Sequence, residues 1–222
     1  VIARFKRLQG HDVFFNTGID EHGIKIFQKA LELGKDTQEF VDGNAEHFKN
    51  LKDSLNLSWN AFTRTTDKHH KSSAQAFWKL CDERGFIYKK KYSGLYCVGC
   101  EMFVTEKELV EGNCPNHPNQ KPEMLEEENY FFKYSEFGDE LLKLYETGAV
   151  SVYPANRVNE IKQMVANGLE DFSISRLKEK MPWGVPVPGD DEHVMYVWFD
   201  ALTNYISTLG WPEDSEKFEK FW

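Results

Sequence analysis

Three cysteines and one histidine within residues 97–117 have the spacing of a metal site. Two residues separate Cys97 from Cys100, thirteen follow, and two separate Cys114 from His117. A gap of two residues lets both members of a pair reach one ion, and three thiolates with one imidazole complete the tetrahedral shell that zinc prefers. Because four protein ligands leave no position for water or substrate, we predict a structural zinc site rather than a catalytic one. A Cys-x2-Cys redox pair is the alternative, but it does not account for the second pair.

The composition is that of a globular protein with an acidic balance. Its 27 Lys and Arg are outnumbered by 36 Asp and Glu, which gives a formal charge of -9. A protein whose main task is to neutralise phosphates has the opposite balance, so any contact with nucleic acid must be local or lie outside these residues, and we predict no DNA partner. No apolar run reaches the roughly 18 residues of a membrane span, and the first residues lack the features of a secretory signal. We therefore predict a cytoplasmic protein with no membrane partner.

A strand and several helices are predicted in the first part of the chain. The run DVFFNTG is typical of a buried strand, and IKIFQKALELG has helical spacing with Gly34 as its stop. A second helix begins with a capping box at Asp36 and Glu39. Its predicted apolar face comprises Phe40, Val41, Phe48, Leu51 and Leu55. A third helix, HKSSAQAFWKLCDERGF, ends at Gly85, and its predicted apolar side comprises Ala76, Phe77, Leu80 and the small core residue Cys81.

The pattern changes near residue 88 and changes back near residue 171. Between these positions IYKKKYSGLYCV and ENYFFKY predict strands on either side of the cysteine cluster, and GDELLKLYETG and NRVNEIKQMVANG predict helices. The basic run at 89–91 is interpreted as a solvated surface, with a phosphate contact as the alternative. An apolar strand in DDEHVMYVWF then leads into a helix in DALTNYISTLG. This order predicts an α/β fold in which one domain, residues 1–87 and 171–222, is split by an inserted module at 88–170.

Four strings in order resemble the class I methionyl-tRNA synthetases. They are NTGIDEHGIKI (16–26), FTRTTDKHH (62–70), LEDFSISR (169–176) and HVMYVWFDALTNYIS (193–207). The cysteine–histidine cluster resembles the single-zinc form of that family's connective-peptide module. The resemblance covers essentially the whole chain. It implies a split Rossmann-type catalytic domain with an inserted zinc-knuckle module, in a ligase that uses ATP to activate methionine as methionyl-adenylate and transfers it to the 3′ end of tRNA(Met).

The resemblance also implies three catalytic residues. Asp20, in the DEHG turn, matches the carboxylate that binds the α-ammonium of methionine, and open α/β sheets bind ligands beyond the C-terminal ends of their strands. Capping of the following helix is its alternative role. His22 either faces the adenylate or fixes the turn. Arg176 matches an arginine that can meet a carboxylate or a phosphate, and an exposed structural ion pair is its alternative.

The methionine pocket implied by the resemblance lies where the last strand passes into a helix. A thioether offers little hydrogen bonding, so selection must come from shape, apolar contact and sulfur–aromatic interaction. Plain core packing is the alternative for these residues, and Asp200 either caps the helix or orients the site. The implied pocket residues are Asp20, Trp198, Ala201, Leu202 and Tyr205.

Two motifs of the family do not occur in this chain. H-I-G-H and K-M-S-K-S supply the positive groups and the helix N-terminus that stabilise charge on the transferring phosphates. We therefore interpret the chain as an internal piece of a longer enzyme, for which methionine, ATP with Mg²⁺ and tRNA(Met) are the expected partners. We expect no methionine-dependent pyrophosphate exchange from the piece alone.

Two alternative functions remain open at this point. Another class I synthetase, for isoleucine, valine or leucine, would need a large editing domain, for which the inserted module leaves little room. A cysteine-specific enzyme would need an open coordination position on its zinc. A non-catalytic zinc-ribbon module accounts for residues 92–125 but not for the DEHG turn or the WFDAL segment.

Overall fold

The computed structural model describes residues 1–100 and 102–222, which form both α-helices and β-strands. The helices are α1 (Ile2–Leu8), α2 (Ile24–Glu32), α3 (Thr37–Ser54), α4 (Lys68–Glu83), α5 (Gly138–Thr147), α6 (Val158–Ala166), α7 (Val197–Leu202), α8 (Asn204–Ser207) and α9 (Ser215–Phe221). The strands are β1 (Asn16–Ile19), β2 (Ala61–Arg64), β3 (Ile87–Cys97), β4 (Met102–Val104), β5 (Glu123–Phe132), β6 (Phe172–Ser173), β7 (Ser175–Leu177), β8 (Pro186–Val187) and β9 (Asp190–Met195). The predicted α/β class is confirmed.

The chain forms two compact units. Unit 1 comprises Val1–Phe86 and Ile174–Trp222, and unit 2 comprises Ile87–Ser173. The predicted inserted module, residues 88–170, lies within unit 2. Within residues 1–100 and 102–222, no helix is long and apolar enough to span a membrane.

In unit 1, β1 and β2 are parallel neighbours connected through α2 and α3. Asn16 pairs with Ala61 and Ile19 with Arg64, so both strands end at the same edge. The DEHG turn, residues 20–23, leaves this edge from β1, and Thr65 leaves it from β2. The topology therefore places the turn where open α/β sheets bind ligands.

The predicted starts and stops of the first helices are confirmed, but the apolar face of α3 is not. Asp36 accepts a hydrogen bond from the Glu39 amide at 3.1 Å, as its N-cap position requires. Val41 is buried, whereas Phe48, Leu51 and Leu55 are 51%, 39% and 61% exposed. The cause is a difference in length: α3 has 18 residues and its neighbour α2 has 9, so the second half of α3 extends past the helix it packs on.

The second part of unit 1 is an antiparallel sheet followed by short helices. The strand order is β7-β9-β8, and β9 ends at Met195. The sequence-based expectation that the strand continues through Trp198 is wrong, because Tyr196 is the extended N-cap of α7 and Trp198 lies within that helix. The helical turn directs Asp200 into the protein, where it is fully buried.

Unit 2 is built on a long antiparallel hairpin. Its strands lie in the order β4-β3-β5-β6, and α5 packs against α6. The strands and helices predicted for this region are confirmed. The basic run at 89–91 faces Tyr130, Asn129 and Glu128 on β5, and the Lys89 Nζ lies 4.9 Å from the centre of the Tyr130 ring. All three lysines are exposed, as the solvated interpretation expects, and a phosphate contact stays the alternative prediction.

Candidate functional site

A buried ion pair fixes the side chain of the second residue of the DEHG turn. Glu21 is 2% exposed, and its two carboxylate oxygens accept hydrogen bonds from Arg64 Nε at 3.0 and 3.1 Å. Thr66 donates a further bond to the same carboxylate. Arg64 also donates to Asp42 at 2.6 Å, and hydrogen bonds from Arg64 and Gln38 lower the pKa of Asp42. The Glu21 carboxylate is therefore bound by Arg64 and Thr66 and shielded from solvent, which favours a structural role.

The backbone of the DEHG turn is held from two sides. The Glu21 amide donates to Thr65 Oγ1 at 2.9 Å, on the β2 side. On the other side the Trp183 indole donates to the Glu21 carbonyl at 2.6 Å, and the Gly23 amide donates to the Trp183 carbonyl at 3.2 Å. Three consecutive peptide groups are thus fixed by hydrogen bonds.

Asp200 connects the DEHG turn with α4. Its two oxygens lie 2.8 Å from His22 Nδ1 and 2.9 Å from His70 Nε2, and all three side chains are buried. Because a carboxylate only accepts, the geometry assigns the His22 proton to Nδ1 and a His70 proton to Nε2, and His70 Nδ1 then accepts from Ser207 Oγ at 3.1 Å. Burial alone would raise the pKa of Asp200, but the hydrogen bonds from His22 and His70 hold it below its ordinary value.

A cavity of about 250 Å³ lies between the ends of β1 and β2 and the helices α7 and α8. It is lined by Asp20, Ala201 and Tyr205, together with Asn16, Asn204 and residues of both strands. The structure therefore brings together three of the predicted substrate-binding residues from two distant parts of the chain. A larger cavity of about 710 Å³ shares Asn16 and Tyr205 with it.

Among the described residues, four other predicted site residues do not line this cavity. Trp198 and Leu202 belong to α7, like Ala201, but are 57% and 55% exposed. His22 is buried against Asp200. Arg176 is 5% exposed, with its guanidinium 4.6 Å from the centre of the Tyr196 ring and Nη1 donating to the Ser175 carbonyl at 2.8 Å. It is therefore not the exposed ion pair of the alternative interpretation.

The four predicted metal ligands converge in unit 2. Their ligand atoms all lie within 4.8 Å of one another. Cys100 Sγ is 3.4 Å from Cys114 Sγ and 3.2 Å from His117 Nδ1, and Cys97 Sγ is 3.8 Å from His117 Nδ1. Sulfur atoms around one tetrahedral zinc are about 3.8 Å apart, so the group can hold a metal ion of that size.

The electrostatics and backbone of the cluster favour metal binding. Although burial alone would raise it, hydrogen bonds with His117 and Cys100 lower the pKa of the Cys114 thiol to about 6, whereas burial and the hydrogen bond with Cys114 raise the pKa of Cys100 to about 11. Of these two neighbouring thiols, Cys114 is therefore the one that loses its proton first. A Cβ atom at Gly99 would lie 2.4 Å from the His117 ring, so only glycine permits this close approach. Cys81 is buried outside the cluster, and burial raises its pKa to about 11, as expected of an inert core thiol.

Sequence reasoning missed the residues that hold the site together. Glu21, Arg64 and His70 all occur within the DEHG and FTRTTDKHH strings, but no spacing rule links them to partners on other segments. Trp183 lies in the proline-containing segment MPWGVPVP (181–188), which predicted no contact with the DEHG turn.

Comparison with known proteins defines the class. A sequence model described as tRNA synthetases class I (M) matches residues 1–121 and 116–222. The chain therefore belongs to the class I (M) tRNA synthetase family, and the resemblance drawn from the four strings is confirmed.

Individual relatives agree with this assignment. The chain is 46% identical over its whole length to a methionine–tRNA ligase of Caldanaerobacter subterraneus subsp. tengcongensis and 47% identical to one of Thermotoga maritima, covering 34% and 36% of those proteins. The crystal structure of Mycobacterium tuberculosis methionyl-tRNA synthetase bound by methionyl-adenylate matches with a TM-score of 0.90 and 42% identity, over 100% of this chain and 44% of that one. The chain thus spans about a third of the length of the curated relatives it matches.

Proposed function

We propose that this chain is part of a methionine–tRNA ligase. Such an enzyme activates methionine with ATP to form methionyl-adenylate and then transfers the methionyl group to the 3′ end of tRNA(Met). The observation that carries the proposal is the cavity in which Asp20 faces Ala201 and Tyr205. Its volume lies just below the ~300–1,000 Å³ typical of drug-sized ligand sites, which suits a single amino acid.

The cavity offers complementary chemistry to the two ends of methionine. A carboxylate at Asp20 pairs with the α-ammonium group, and an ammonium–carboxylate hydrogen bond is strong when water is excluded. Ala201 leaves room for the unbranched side chain, and the Tyr205 ring offers the sulfur an aromatic contact. Trp198 and Leu202, on the same helix as Ala201, remain predicted contacts of the substrate. Asp200 keeps this helix against the DEHG turn through His22.

The metal of the Cys/His cluster is proposed to be zinc. Three thiolates and one imidazole are a typical structural zinc set, and all four ligands come from protein. A bound ion would stabilise the folded form of unit 2, because the four ligands are brought together only in the folded chain and the free energy of metal binding therefore adds to that of folding. Cys97, Cys100, Cys114 and His117 thus stabilise the module that we interpret as the connective peptide.

The remaining assignments concern the whole protein. We propose that ATP binds with Mg²⁺, that Arg176 and His22 act near the adenylate, and that tRNA(Met) is the acceptor. These proposals are supported by family membership. The cytoplasm remains the predicted compartment.

Methionine-dependent ATP–pyrophosphate exchange tests the proposal in the full-length protein that carries this chain. Methionine should support exchange, whereas isoleucine, valine, leucine and cysteine should not. Asp20→Asn should raise the KM for methionine by about 100-fold, because it removes one partner of an enclosed charge pair. Asp53→Asn, which changes an exposed aspartate on α3, is the matched control. Exchange driven by another amino acid, or by none, would overturn the assignment.

A further inference from the structure

Trp183 holds the DEHG turn from a loop far away in sequence. It lies 162 residues after Glu21, between β7 and β8. Its indole nitrogen donates to the Glu21 carbonyl at 2.6 Å, and its own carbonyl accepts from the Gly23 amide at 3.2 Å. The indole ring also lies 5.8 Å from the His22 ring, centre to centre. One residue therefore contacts three successive residues of the turn.

The opposite side of the turn is fixed by β2. Thr65 accepts from the Glu21 amide, and Arg64 binds the Glu21 side chain. The peptide group that follows Asp20 is thus bound by Thr65, and the next two are bound by Trp183. Without the indole bond, the peptide group between Glu21 and His22 could rotate about the dihedral angles on either side of it, and the backbone next to Asp20 would be held on one side only, by Thr65.

We propose that Trp183 is a positioning residue that sets the carboxylate of Asp20 for the α-ammonium group of the substrate. This inference rests on the proposed function. Misplacement of a charged contact by about 1 Å is enough to weaken it strongly, whereas the apolar contacts of Ala201 and Tyr205 tolerate such a shift. Loss of the indole donor should therefore affect recognition of the ammonium group alone.

The test uses Trp183→Phe in the full-length protein, which keeps an aromatic ring and removes the donor. The KM for methionine in pyrophosphate exchange should rise about tenfold, and the KM for ATP should not change. Trp211→Phe is the matched control, because Trp211 is a partly buried tryptophan of unit 1 that packs on Phe77. Replacement of Trp183 by 3-benzothienylalanine, which keeps the two-ring shape without the N–H group, separates loss of the bond from loss of volume.

A substrate analogue distinguishes positioning from general damage. 4-(Methylthio)butanoate lacks the α-ammonium group, so its inhibition constant should be the same in wild type and Trp183→Phe. An equal rise for methionine and the analogue would overturn the inference, as would an unchanged KM for methionine. In Asp20→Asn the additional Trp183→Phe change should have no further effect on the KM for methionine. If wild type itself shows no methionine-dependent exchange, the proposed function fails, which is a different outcome from an active enzyme indifferent to Trp183.

Discussion

Replacement of Asp200 by asparagine should destabilise unit 1 much more than a comparable change at the surface. Asp200 is fully buried and accepts from His22 at 2.8 Å and from His70 at 2.9 Å. An asparagine side chain at this position would keep the shape and one acceptor oxygen but present an NH2 group to the other imidazole. One of two charge-assisted hydrogen bonds would then become a contact between two donors.

The expected loss of unfolding free energy follows from the contribution of a charge-assisted hydrogen bond to stability. A hydrogen bond to a charged group contributes about 1.5–3 kcal/mol, and the second bond is weakened because its acceptor loses its charge. We expect Asp200→Asn to lower the free energy of unfolding by about 2–3 kcal/mol. For a chain of this size that corresponds to a fall in Tm of about 4–12 °C.

Tryptophan fluorescence during urea unfolding measures this effect in unit 1 alone. All six tryptophans belong to unit 1: Trp59, Trp78, Trp183, Trp198, Trp211 and Trp222. Asp42→Asn is the matched control, because the Asp42 side chain is 51% exposed and its partner Arg64 keeps Glu21. An exposed ion pair contributes about 0–1 kcal/mol. A loss in Asp200→Asn no larger than in Asp42→Asn would refute the role given to the buried carboxylate.

Two further predictions concern acid and metal. Because the pKa of Asp200 is lower in the folded protein, its contribution to the free energy of unfolding is fully present above the unfolded pKa of about 3.9 and is lost as the pH falls through the folded pKa. The urea midpoint of wild type should therefore drop more steeply below about pH 4 than that of Asp200→Asn. Parallel dependence of the two midpoints on pH would contradict this. Chelation should release about one zinc per chain and change the far-ultraviolet circular dichroism of unit 2 with little change in tryptophan fluorescence. Cys97→Ser should abolish metal binding, whereas Cys81→Ala should leave metal content at the wild-type value, and equal metal content in both variants would rule out the assigned ligands.

Local features were predictable from sequence, and long-range polar contacts were not. The N-cap at Asp36 and the metal ligands depend on residues close together in the chain, so spacing rules identify them. The bonds of Asp200 join residues separated by 178 and 130 positions, and no periodicity records such partners. Helical spacing likewise predicts which residues of α3 share a face, but not where the neighbouring helix stops. For this reason the predicted apolar face includes Phe48, which the structure leaves 51% exposed.

The pairing of β5 has a consequence for how unit 2 is connected to the rest of the chain. Phe132 pairs with Ile87, the first residue of unit 2, on one side and with Phe172, next to its last residue, on the other. Neighbouring strands are about 4.8 Å apart, so the entry and exit of the unit are separated by about 10 Å.

That separation is spanned by about three extended residues. The two parts of unit 1, which end at Phe86 and resume at Ile174, can therefore be rejoined by a short peptide without stretching either part. An insertion with adjacent ends can change in length, or acquire a different metal module, while the chain that carries Asp20 and Asp200 keeps its path.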